Sequence, residues 1–414
     1  MRRIFQAILA FGPGIFAIGY TVGTGSVTSM IVAGSSFGMQ LLWVLMLSCI
    51  FSGVLIFVYG QYTLVTGETA LFAFKKHLPW GKAIAILIII GVSFGQWNSL
   101  IGILGITSNV VFEILVLSFP SLEEHKYTTV LILAVVIIGI MYSVLVKGDY
   151  TLFEKVLAVL VSFMGLSFFF TLFFVFPQPQ EIIAGLIPKI PEVKGGSMLA
   201  AAFVGTTMAS ATFLSRPLFV KGKGWTIKDL ITQKNDAIVA ACLVFVISGS
   251  IMAVATGSLF KEGIVVTKVV DMSQALTPIA GKFAMSVFFF GTLSAGLSSI
   301  FPILLIVPIM LSDYRSGELD TKSSQFKWIT GIASLIALTI PIFGGNPVEG
   351  QVLTQVFNVF VLPLVITGIF LLTNRKEYGE YKNGTVLNAI LLLAFIFSIV
   401  ISVNGVIGII SYLE

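Results

Sequence analysis

Charged side chains are scarce in this sequence. Lys, Arg, Asp and Glu together make up 10% of the 414 residues, whereas a soluble globular protein carries about 25%. A deficit of that size excludes an ordinary soluble domain. The chain also has only two histidines and two cysteines. Cys49 and Cys242 lack metal-ligand spacing, so both are expected to be small core residues of apolar helices.

Long apolar runs, separated by short charged segments, recur along the sequence. Hydrophobic residues make up 57% of the sequence, and the mean hydropathy is +1.03. A helix needs about 20 apolar residues to cross a bilayer, whereas a membrane barrel would show alternating segments of about ten. The runs therefore predict an all-α polytopic membrane protein. Eleven spans, numbered 1 to 11 in chain order, are predicted near 11–36, 39–65, 82–115, 128–146, 151–176, 197–220, 236–258, 282–312, 326–343, 350–373 and 387–411.

Basic residues are distributed unevenly between the loops. With the N-terminus placed in the cytoplasm, 18 of the 24 Lys and Arg residues fall on that side and 6 on the other, while the acids divide 10 to 9. This is the positive-inside pattern, and it accounts for the net charge of +5 without a nucleic-acid partner. We expect a monomer surrounded by lipid in a prokaryotic plasma membrane, with its N-terminus cytoplasmic and its C-terminus outside. Arg216 is expected to be a snorkelling anchor at the cytoplasmic boundary.

The sequence contains no linker between independent domains, so residues 1–414 are predicted to form a single transmembrane domain. A proline-containing stretch at 177–191 has five spans before it and six after it. This division predicts a five-plus-five inverted repeat. The first repeat is expected at about 8–176, the second at about 197–373, and an extra helix at about 387–411.

Spans 1 and 6, which open the two predicted repeats, contain residues that disfavour a continuous helix. Residues 19–29 and 205–212 are rich in Gly, Ser and Thr. Glycine costs about 1 kcal/mol in a helix interior, and hydroxyl groups compete for backbone hydrogen bonds. Freed backbone groups at membrane depth are tolerated where they line a cavity. The matched interruptions therefore predict two broken helices around a central site, although close helix packing could explain either segment alone.

Several segments share the pattern of one transporter family. They lie at 12–20 in span 1, at 33–38 and 42–44 around the start of span 2, in span 6, at 294–299 in span 8 and at 353–363 in span 10. In these segments the chain resembles the natural resistance-associated macrophage protein (Nramp) family. The resemblance implies the inverted-repeat fold of the amino-acid/sodium symporters and the transport of divalent metal ions.

The positions of the family's functional residues carry different chemistry here. The Asp-Pro-Gly-Asn motif of span 1 falls on 23–26, which reads Gly-Thr-Gly-Ser, and the Met-Pro-His motif of span 6 falls on 209–211, which reads Ala-Ser-Ala. Leu297 replaces the glutamine of span 8, and Gln96 and Ser99 replace the acidic pair of the proton path. Losing the thioether favours hard cations over manganese, iron or cadmium. No Asp, Glu or His lies near the middle of a predicted span, which predicts transport without proton coupling.

The candidate site is neutral and rich in oxygen. The predicted substrate-binding residues are Gly23, Thr24, Gly25, Ser26, Thr206, Thr207, Ala209, Ser210, Thr212, Gln96, Ser298 and Gln355. Among these, Thr24, Ser26 and Ala209 are predicted to contact a metal ion, partly through backbone carbonyls. Four further polar residues are expected to flank the site: Asn98, Ser299, Gln351 and Asn358. Because a substrate cavity has room, bulk placed at Gly25 or Ala209 is expected to block transport without unfolding the protein.

Three functions fit these observations. The first is a secondary transporter of a hard divalent cation such as magnesium, working by alternating access. The second is a sodium-coupled symporter of a small organic solute, which the residues at 295–299 also suggest. The third is a membrane sensor that has kept the fold and lost transport. The chain has no GxGxxG, P-loop, HExxH or CxxC motif, so we expect neither an enzyme nor a cofactor.

Overall fold

The computed structural model describes residues 12–147, 150–192, 195–268, 271 and 277–413. In these ranges the chain is built from helices and connecting loops, and no strand occurs. The α-helices are α1 (Gly12–Thr21), α2 (Thr24–Phe37), α3 (Leu42–Thr66), α4 (Ala70–His77), α5 (Gly81–Ser118), α6 (Lys126–Val146), α7 (Tyr150–Leu172), α8 (Pro179–Gly185), α9 (Gly196–Thr207), α10 (Ser210–Gly222), α11 (Leu230–Ala255), α12 (Thr277–Ser316), α13 (Ser324–Ala337), α14 (Thr339–Phe343), α15 (Pro347–Val359), α16 (Leu362–Thr373) and α17 (Thr385–Leu413).

The membrane spans agree with the sequence-based prediction. Among the described residues, ten helical segments are long and apolar enough to cross a membrane, and the bent pair of α1 and α2 supplies an eleventh. The predicted all-α polytopic membrane protein is therefore confirmed. Span 7 begins at Leu230 instead of 236, because α11 continues past the apolar stretch into charged residues. The bounds of the two repeats and the orientation of the termini stay predictions.

The bundle has a buried centre and a periphery that faces lipid. The most apolar stretches of spans 6 and 8 are 89% buried within the protein, against 33% for spans 4, 5 and 9 and 22% for span 11. Large apolar side chains on the peripheral spans, such as Phe163 and Val386, are correspondingly exposed. Polar residues on spans 6 and 8 are therefore shielded from lipid by surrounding helices.

Span 1 is broken, as predicted. α1 ends at Thr21, α2 begins at Thr24, and the two helices are bent by 45°. Gly23 has an extended backbone (φ −82°, ψ −171°). Helical hydrogen bonding resumes at once, because Val27 N donates to Gly23 O at 2.9 Å. The interruption is thus confined to two residues of the predicted stretch at 19–29.

Span 6 is also broken, again over two residues. α9 ends at Thr207 and α10 begins at Ser210. Met208 (φ −104°, ψ 40°) and Ala209 (φ −62°, ψ 117°) leave the helical conformation. A further break in span 10 was not predicted: α15 ends at Val359 and α16 begins at Leu362. Its physical reason is Pro363, which has no backbone N–H and is tolerated only in the first turn of a helix.

Two expectations about single residues need correction. Cys49 is buried as predicted, but Cys242 is exposed on the outer face of α11, because that helix is only partly covered by its neighbours. Asp313, one residue beyond the predicted end of span 8, is fully buried near the end of α12. Its carboxylate accepts hydrogen bonds from Leu71 N (2.9 Å) and Phe72 N (3.3 Å). A negative charge at this end of α4 complements the helix dipole.

Candidate functional site

The two breaks lie side by side at the centre of the bundle. Thr206 Oγ1, in the last turn of α9, donates a hydrogen bond to Thr21 O at the end of α1 (3.0 Å). Ser52 Oγ of α3 donates to Thr207 O (2.6 Å). These bonds occupy carbonyl oxygens that no longer have a helical partner beyond the breaks. The end of α1 is thus in direct contact with the end of α9.

Five buried hydroxyl groups around the breaks have no hydrogen-bond partner within the described ranges. Three of them are on α2 and two on α10, and none of these residues is more than 3% exposed. They are Thr24, Thr28 and Ser29 on α2, and Ser210 and Thr212 on α10. Buried polar groups are almost always hydrogen-bonded, so five orphaned hydroxyls on the two helices that follow the breaks need an explanation. Their free lone pairs are available to an ion or to water.

The other predicted hydroxyls are already engaged. Ser26 Oγ lies 3.1 Å from Ser248 Oγ of α11, and Thr207 Oγ1 donates to Phe203 O in its own helix. Ser298 Oγ likewise donates to Ala295 O of its own helix (3.0 Å). Of the predicted hydroxyl ligands, the unengaged ones are therefore Thr24, Ser210 and Thr212.

A chain of amide side chains joins α5 to α15 beside the break in span 1. Gln96 Nε2 donates to Asn358 Oδ1 (3.2 Å), and Asn358 Nδ2 donates to Gln355 Oε1 (3.1 Å). Gln355 Nε2 and Gln351 Nε2 both donate to Ser99 Oγ, at 3.1 Å and 2.9 Å. All five residues are buried. We call these five residues the amide network.

The amide network includes residues that sequence analysis did not place in the site. Gln96 and Gln355 were predicted ligands, and Gln351 and Asn358 were expected only to flank it. Asn98, also expected to flank the site, instead donates to Phe94 O of its own helix. The spacing of 351, 355 and 358 could have located the network, because positions i, i+4 and i+7 share one face of a helix.

Gly25 and Gly23 make close contacts that leave no room for a side chain. A Cβ atom at Gly25 would lie 2.4 Å from Gln355 Nε2 and 2.8 Å from Gln351 Nε2. At Gly23 it would lie 1.7 Å from Ser299 Oγ and 2.7 Å from Ser299 Cβ. The expectation of free space at Gly25 is therefore wrong in this conformation, because the amide network packs directly against α2.

Met208 is a sulfur ligand candidate that the sequence analysis missed. It occupies the break in span 6 directly before Ala209, and its side chain is 1% exposed. In the described part of the chain, no group of three or more His, Cys, Asp or Glu residues is placed to hold a metal ion. The unpartnered side-chain atoms around the two breaks are hydroxyl oxygens, and Met208 adds a buried thioether between α9 and α10.

Arg216 is not a snorkelling anchor. It lies on α10, six residues after Ser210, and its side chain is only 1% exposed. Its Nη1 atom lies 2.6 Å from Oδ2 of Asp236 on α11, whose side chain is 2% exposed. The carboxylate also packs against α1, because a Cβ at Gly14 would lie 2.6 Å from Asp236 Oδ1. The prediction failed because Asp236 lies within α11 and provides a buried partner.

The site is closed on both sides of the membrane in this conformation. The residues at both breaks and in the amide network are at most 7% exposed. A substrate held there would be separated from bulk water by the surrounding helices. Such a closed state is one of the conformations that alternating access requires.

Comparison with known proteins places this site in a family. Residues 14–408 match the family described as natural resistance-associated macrophage protein-like (Nramp). A divalent metal cation transporter, MntH, from Vibrio campbellii is 26% identical over 384 residues, which cover 92% of this chain and 87% of the relative.

Solved structures agree on the fold. A manganese transporter from Eremococcus coleocola superposes with a TM-score of 0.77 at 15% identity, covering 97% of this chain and 86% of the other. MhsT, solved in complex with L-phenylalanine, superposes with a TM-score of 0.63 at 16% identity, covering 97% and 98%. The chain therefore has the predicted inverted-repeat fold of the amino-acid/sodium symporters, with spans 1 and 6 broken.

Proposed function

We propose a function for this chain on one premise: it belongs to the Nramp family. The relatives it matches are divalent metal cation transporters, and the chain is an integral membrane protein and not an enzyme. Within that family we propose that it moves a hard divalent cation, with magnesium as the best fit. Transport would proceed by alternating access between closed and open states, without coupling to protons.

The observation that carries this proposal is the set of five unpartnered hydroxyls on the two helices that follow the breaks. Oxygen ligands suit magnesium, calcium and sodium, whereas manganese, iron and cadmium bind more readily where a thioether or imidazole is available. The positions of the family's Asp and Met motif residues are Gly23 and Ala209 here. The donor set therefore favours a hard ion.

The amide network supports binding of a hydrated ion. Magnesium gives up its water ligands reluctantly and usually keeps several of them in protein sites. Gln351 Oε1 is buried and has no hydrogen-bond partner in the described part of the chain. It can accept a hydrogen bond from a water ligand of the ion. A neutral site can thus hold a divalent cation through its hydration shell, without a carboxylate in direct contact.

Two buried carboxylates in the described part of the chain are engaged by other groups. Asp236 is ion-paired with Arg216, and Asp313 is held by the first turn of α4. Gln96 and Ser99, at the positions of the family's acidic pair, are hydrogen-bonded in the amide network. The amide of Gln96 and the hydroxyl of Ser99 cannot accept and release a proton near neutral pH, which supports transport without proton coupling.

Uptake into proteoliposomes tests the proposal directly. We expect magnesium to enter vesicles that contain the purified chain, and the lumen not to acidify as it enters. Magnesium influx accompanied by stoichiometric proton influx would contradict the coupling. Sodium-dependent uptake of an organic solute without magnesium flux would support the symporter instead. No flux of either kind would support a sensor.

One contact favours the sodium-coupled alternative. Ser299 Oγ of α12 lies 3.4 Å from Gly19 O of α1 and 2.8 Å from Ala295 O. A serine hydroxyl with two carbonyl oxygens is a fitting oxygen cluster for sodium. However, the same hydroxyl donates its proton to these carbonyls, and it fills the space beside Gly23. This alternative predicts that Ser299→Ala abolishes sodium dependence, whereas the magnesium proposal predicts no sodium dependence to lose.

Restoring the family's ligands should change the metal preference, but the structure shows that two substitutions will not suffice. Asp at position 23 would collide with Ser299, whose Cβ alone is 2.7 Å from the new Cβ. We expect Gly23→Asp with Ala209→Met and Ser299→Gly to bind manganese or cadmium at least about tenfold more tightly than the parent. Isothermal titration calorimetry on the purified protein measures this.

Two controls accompany that experiment. The pair Gly23→Asp and Ala209→Met without the Ser299 change should bind these metals poorly, because the carboxylate cannot enter the site. Met208→Leu, a swap that roughly conserves volume, should leave magnesium uptake unchanged. If Met208→Leu lowered cadmium binding in the parent, the thioether would already be a ligand and the hard-ion proposal would be wrong.

A further inference from the structure

A cavity lies toward the end of the bundle that the charge distribution predicts to be extracellular, on helices that also carry the site. It has a volume of about 480 Å³. Its walls come from α2, α9, α15 and α17 and from the loop that follows span 7. Four polar side chains line it: Ser36, Thr267, Glu349 and Tyr412. We call this cavity the vestibule.

The vestibule is separated from the amide network by a thin apolar floor. Val348 and Val352 of α15 and Leu199 of α9 line it and are at most 3% exposed. Val352 precedes Gln355 by three residues, a rise of about 4.5 Å along a helix. Glu349 precedes Gln355 by six residues, a rise of about 9 Å, so a cation held by Glu349 would lie about two helical turns from Gln355.

Glu349 is the charged residue that lines the vestibule. Its Oε2 accepts a hydrogen bond from the Tyr412 hydroxyl at 3.1 Å, and this neutral donor does not cancel the charge. Glu349 also lies in the first turn of α15, where a negative charge complements the helix dipole. A second carboxylate, Asp271, accepts hydrogen bonds from Thr267 N (2.8 Å) and Thr267 Oγ1 (3.0 Å).

Among the described residues, no lysine or arginine forms an ion pair with Glu349. The adjacent cavity is lined by Glu113, Lys126 and Lys268. In it Lys126 pairs with Glu113 at 3.1 Å, so this acidic group is already compensated. Lys268 lines that same cavity and not the vestibule. Glu113 and Glu349 thus differ: among the described ion pairs, Glu113 has a lysine partner and Glu349 has none.

We propose that the vestibule is a capture site in which Glu349 and the oxygen atoms of Tyr412, Ser36 and Thr267 hold a hydrated divalent cation before it passes to the central site. The reason is electrostatic. The central site is neutral and the chain carries a net charge of +5, so the site itself offers a cation little attraction. A cleft lined by one sign of charge raises the local concentration of the opposite ion. This inference rests on the proposed cation transport.

Uptake kinetics give the first test. Glu349→Gln removes the charge and keeps the shape, so we expect the KM for magnesium to rise about fivefold to tenfold with the maximal rate within twofold. Raising the ionic strength should raise the KM of the parent and leave that of the variant unchanged. Glu113→Gln, the matched control, should have the same KM as the parent. An unchanged KM in Glu349→Gln would overturn the capture site.

Terbium binding gives a second test that does not depend on transport. Terbium is a hard, oxygen-seeking ion, and its emission is excited by a tyrosine close to it. With the purified full chain, we expect tyrosine-excited terbium emission to fall in Tyr412→Phe, which removes the nearby phenol that absorbs the exciting light. It should also fall in Glu349→Gln, which removes the ligand, and it should persist in Glu113→Gln. Equal emission from the parent and Glu349→Gln would overturn the proposal.

The two tests separate this inference from the proposed function. Terbium emission that depends on Glu349, in a protein that takes up no magnesium, would keep the capture site and reject magnesium transport. Magnesium uptake with the same KM in the parent and in Glu349→Gln would keep the transport proposal and reject the capture site. A rise in KM together with loss of the terbium signal in Glu349→Gln would support both.

Discussion

Replacing Gly25 by leucine is expected to abolish cation uptake. Any side chain at this position meets the amide network, since its Cβ would lie 2.4 Å from Gln355 Nε2 and 2.8 Å from Gln351 Nε2. Both amide nitrogens donate to Ser99 Oγ, so these bonds must break to make room. Overpacking of this kind typically costs about 1–3 kcal/mol, enough to distort the site beyond use. Magnesium uptake in proteoliposomes should fall to the background of empty vesicles.

The control for this change is a glycine with open space around it. A Cβ at Gly139 on α6 would meet nothing within 4 Å, and the helix lies on the periphery of the bundle. Gly139→Leu therefore makes the same chemical change without the clash and should leave uptake within about twofold of the parent. Equal loss in both variants would indicate a general effect of leucine on folding or insertion.

A smaller substitution separates the site from the fold. Gly25→Ala adds only the Cβ, and the Gln355 amide that it meets is the end of a flexible side chain. Shortening that side chain with Gln355→Asn should relieve part of the contact. We expect the double variant to be more active than the product of the two single effects predicts, since residues in contact are coupled. Strict additivity would mean that Gly25 does not act through Gln355.

The sequence was sufficient for the spans and for the breaks in spans 1 and 6, because both signals are local. An apolar run of span length has few alternatives in a membrane, and Gly, Ser and Thr at 19–29 and 205–212 weaken the helix where they stand. The exact break needed the structure. Helical bonding resumes directly after Gly23 and Ala209, which composition alone does not reveal.

The contents of the site were only partly predictable, because contacts between helices depend on tertiary packing. Gln351 and Asn358 share a face of α15 with Gln355, yet the sequence does not show which span that face meets. Sequence analysis noted Ser99 only as the replacement for one residue of the family's acidic pair. In the structure its Oγ accepts hydrogen bonds from the side-chain amides of Gln351 and Gln355. The reading of Gly25 as a place with room failed for the same reason, since the glutamine side chains come from another span.

Arg216 and Asp236 were misread because an isolated charge near the end of an apolar run is most often an interfacial anchor. No short-range sequence pattern indicates that Arg216 and Asp236, which lie on consecutive spans, are in contact. A signal was available in Gly14, which the family pattern at 12–20 includes: a glycine there allows the Asp236 carboxylate to lie against α1. Gly14, Gly23 and Gly25 in span 1 thus each allow a close approach, to Asp236, Ser299 and Gln355 respectively.

Removing either member of the Arg216–Asp236 pair is expected to cause the largest loss of stability in the chain. The two groups are 1% and 2% exposed and lie 2.6 Å apart. Removing one partner of a buried ion pair leaves an uncompensated charge and costs about 3–5 kcal/mol. We expect Asp236→Ala and Arg216→Ala each to melt at clearly lower temperature in detergent, as measured by loss of the monodisperse size-exclusion peak after heating.

The double variant Arg216→Met with Asp236→Leu distinguishes the charge from the packing. Replacing a buried pair by apolar side chains of similar size is often neutral or stabilising, so this variant should recover most of the melting temperature lost in the single variants. Lys221→Met with Glu318→Leu is the matched control, because that ion pair is partly exposed and worth about 1 kcal/mol or less. Single changes there should barely alter melting. If Asp236→Ala melted like the parent, the pair would not be a buried, desolvated interaction.

The same variants report on the site, because Arg216 lies on the helix that carries Ser210. Six residues separate them, a rise of about 9 Å along α10, and the pair fixes this half-helix to α11 and beside Gly14 of α1. The double variant removes that directional tie and keeps the volume. We therefore expect it to fold, and to take up magnesium at least about tenfold more slowly than the parent, since small misplacements of ligands are costly. A double variant that is both stable and fully active would show that packing alone positions α10, and that the ion pair is dispensable for transport.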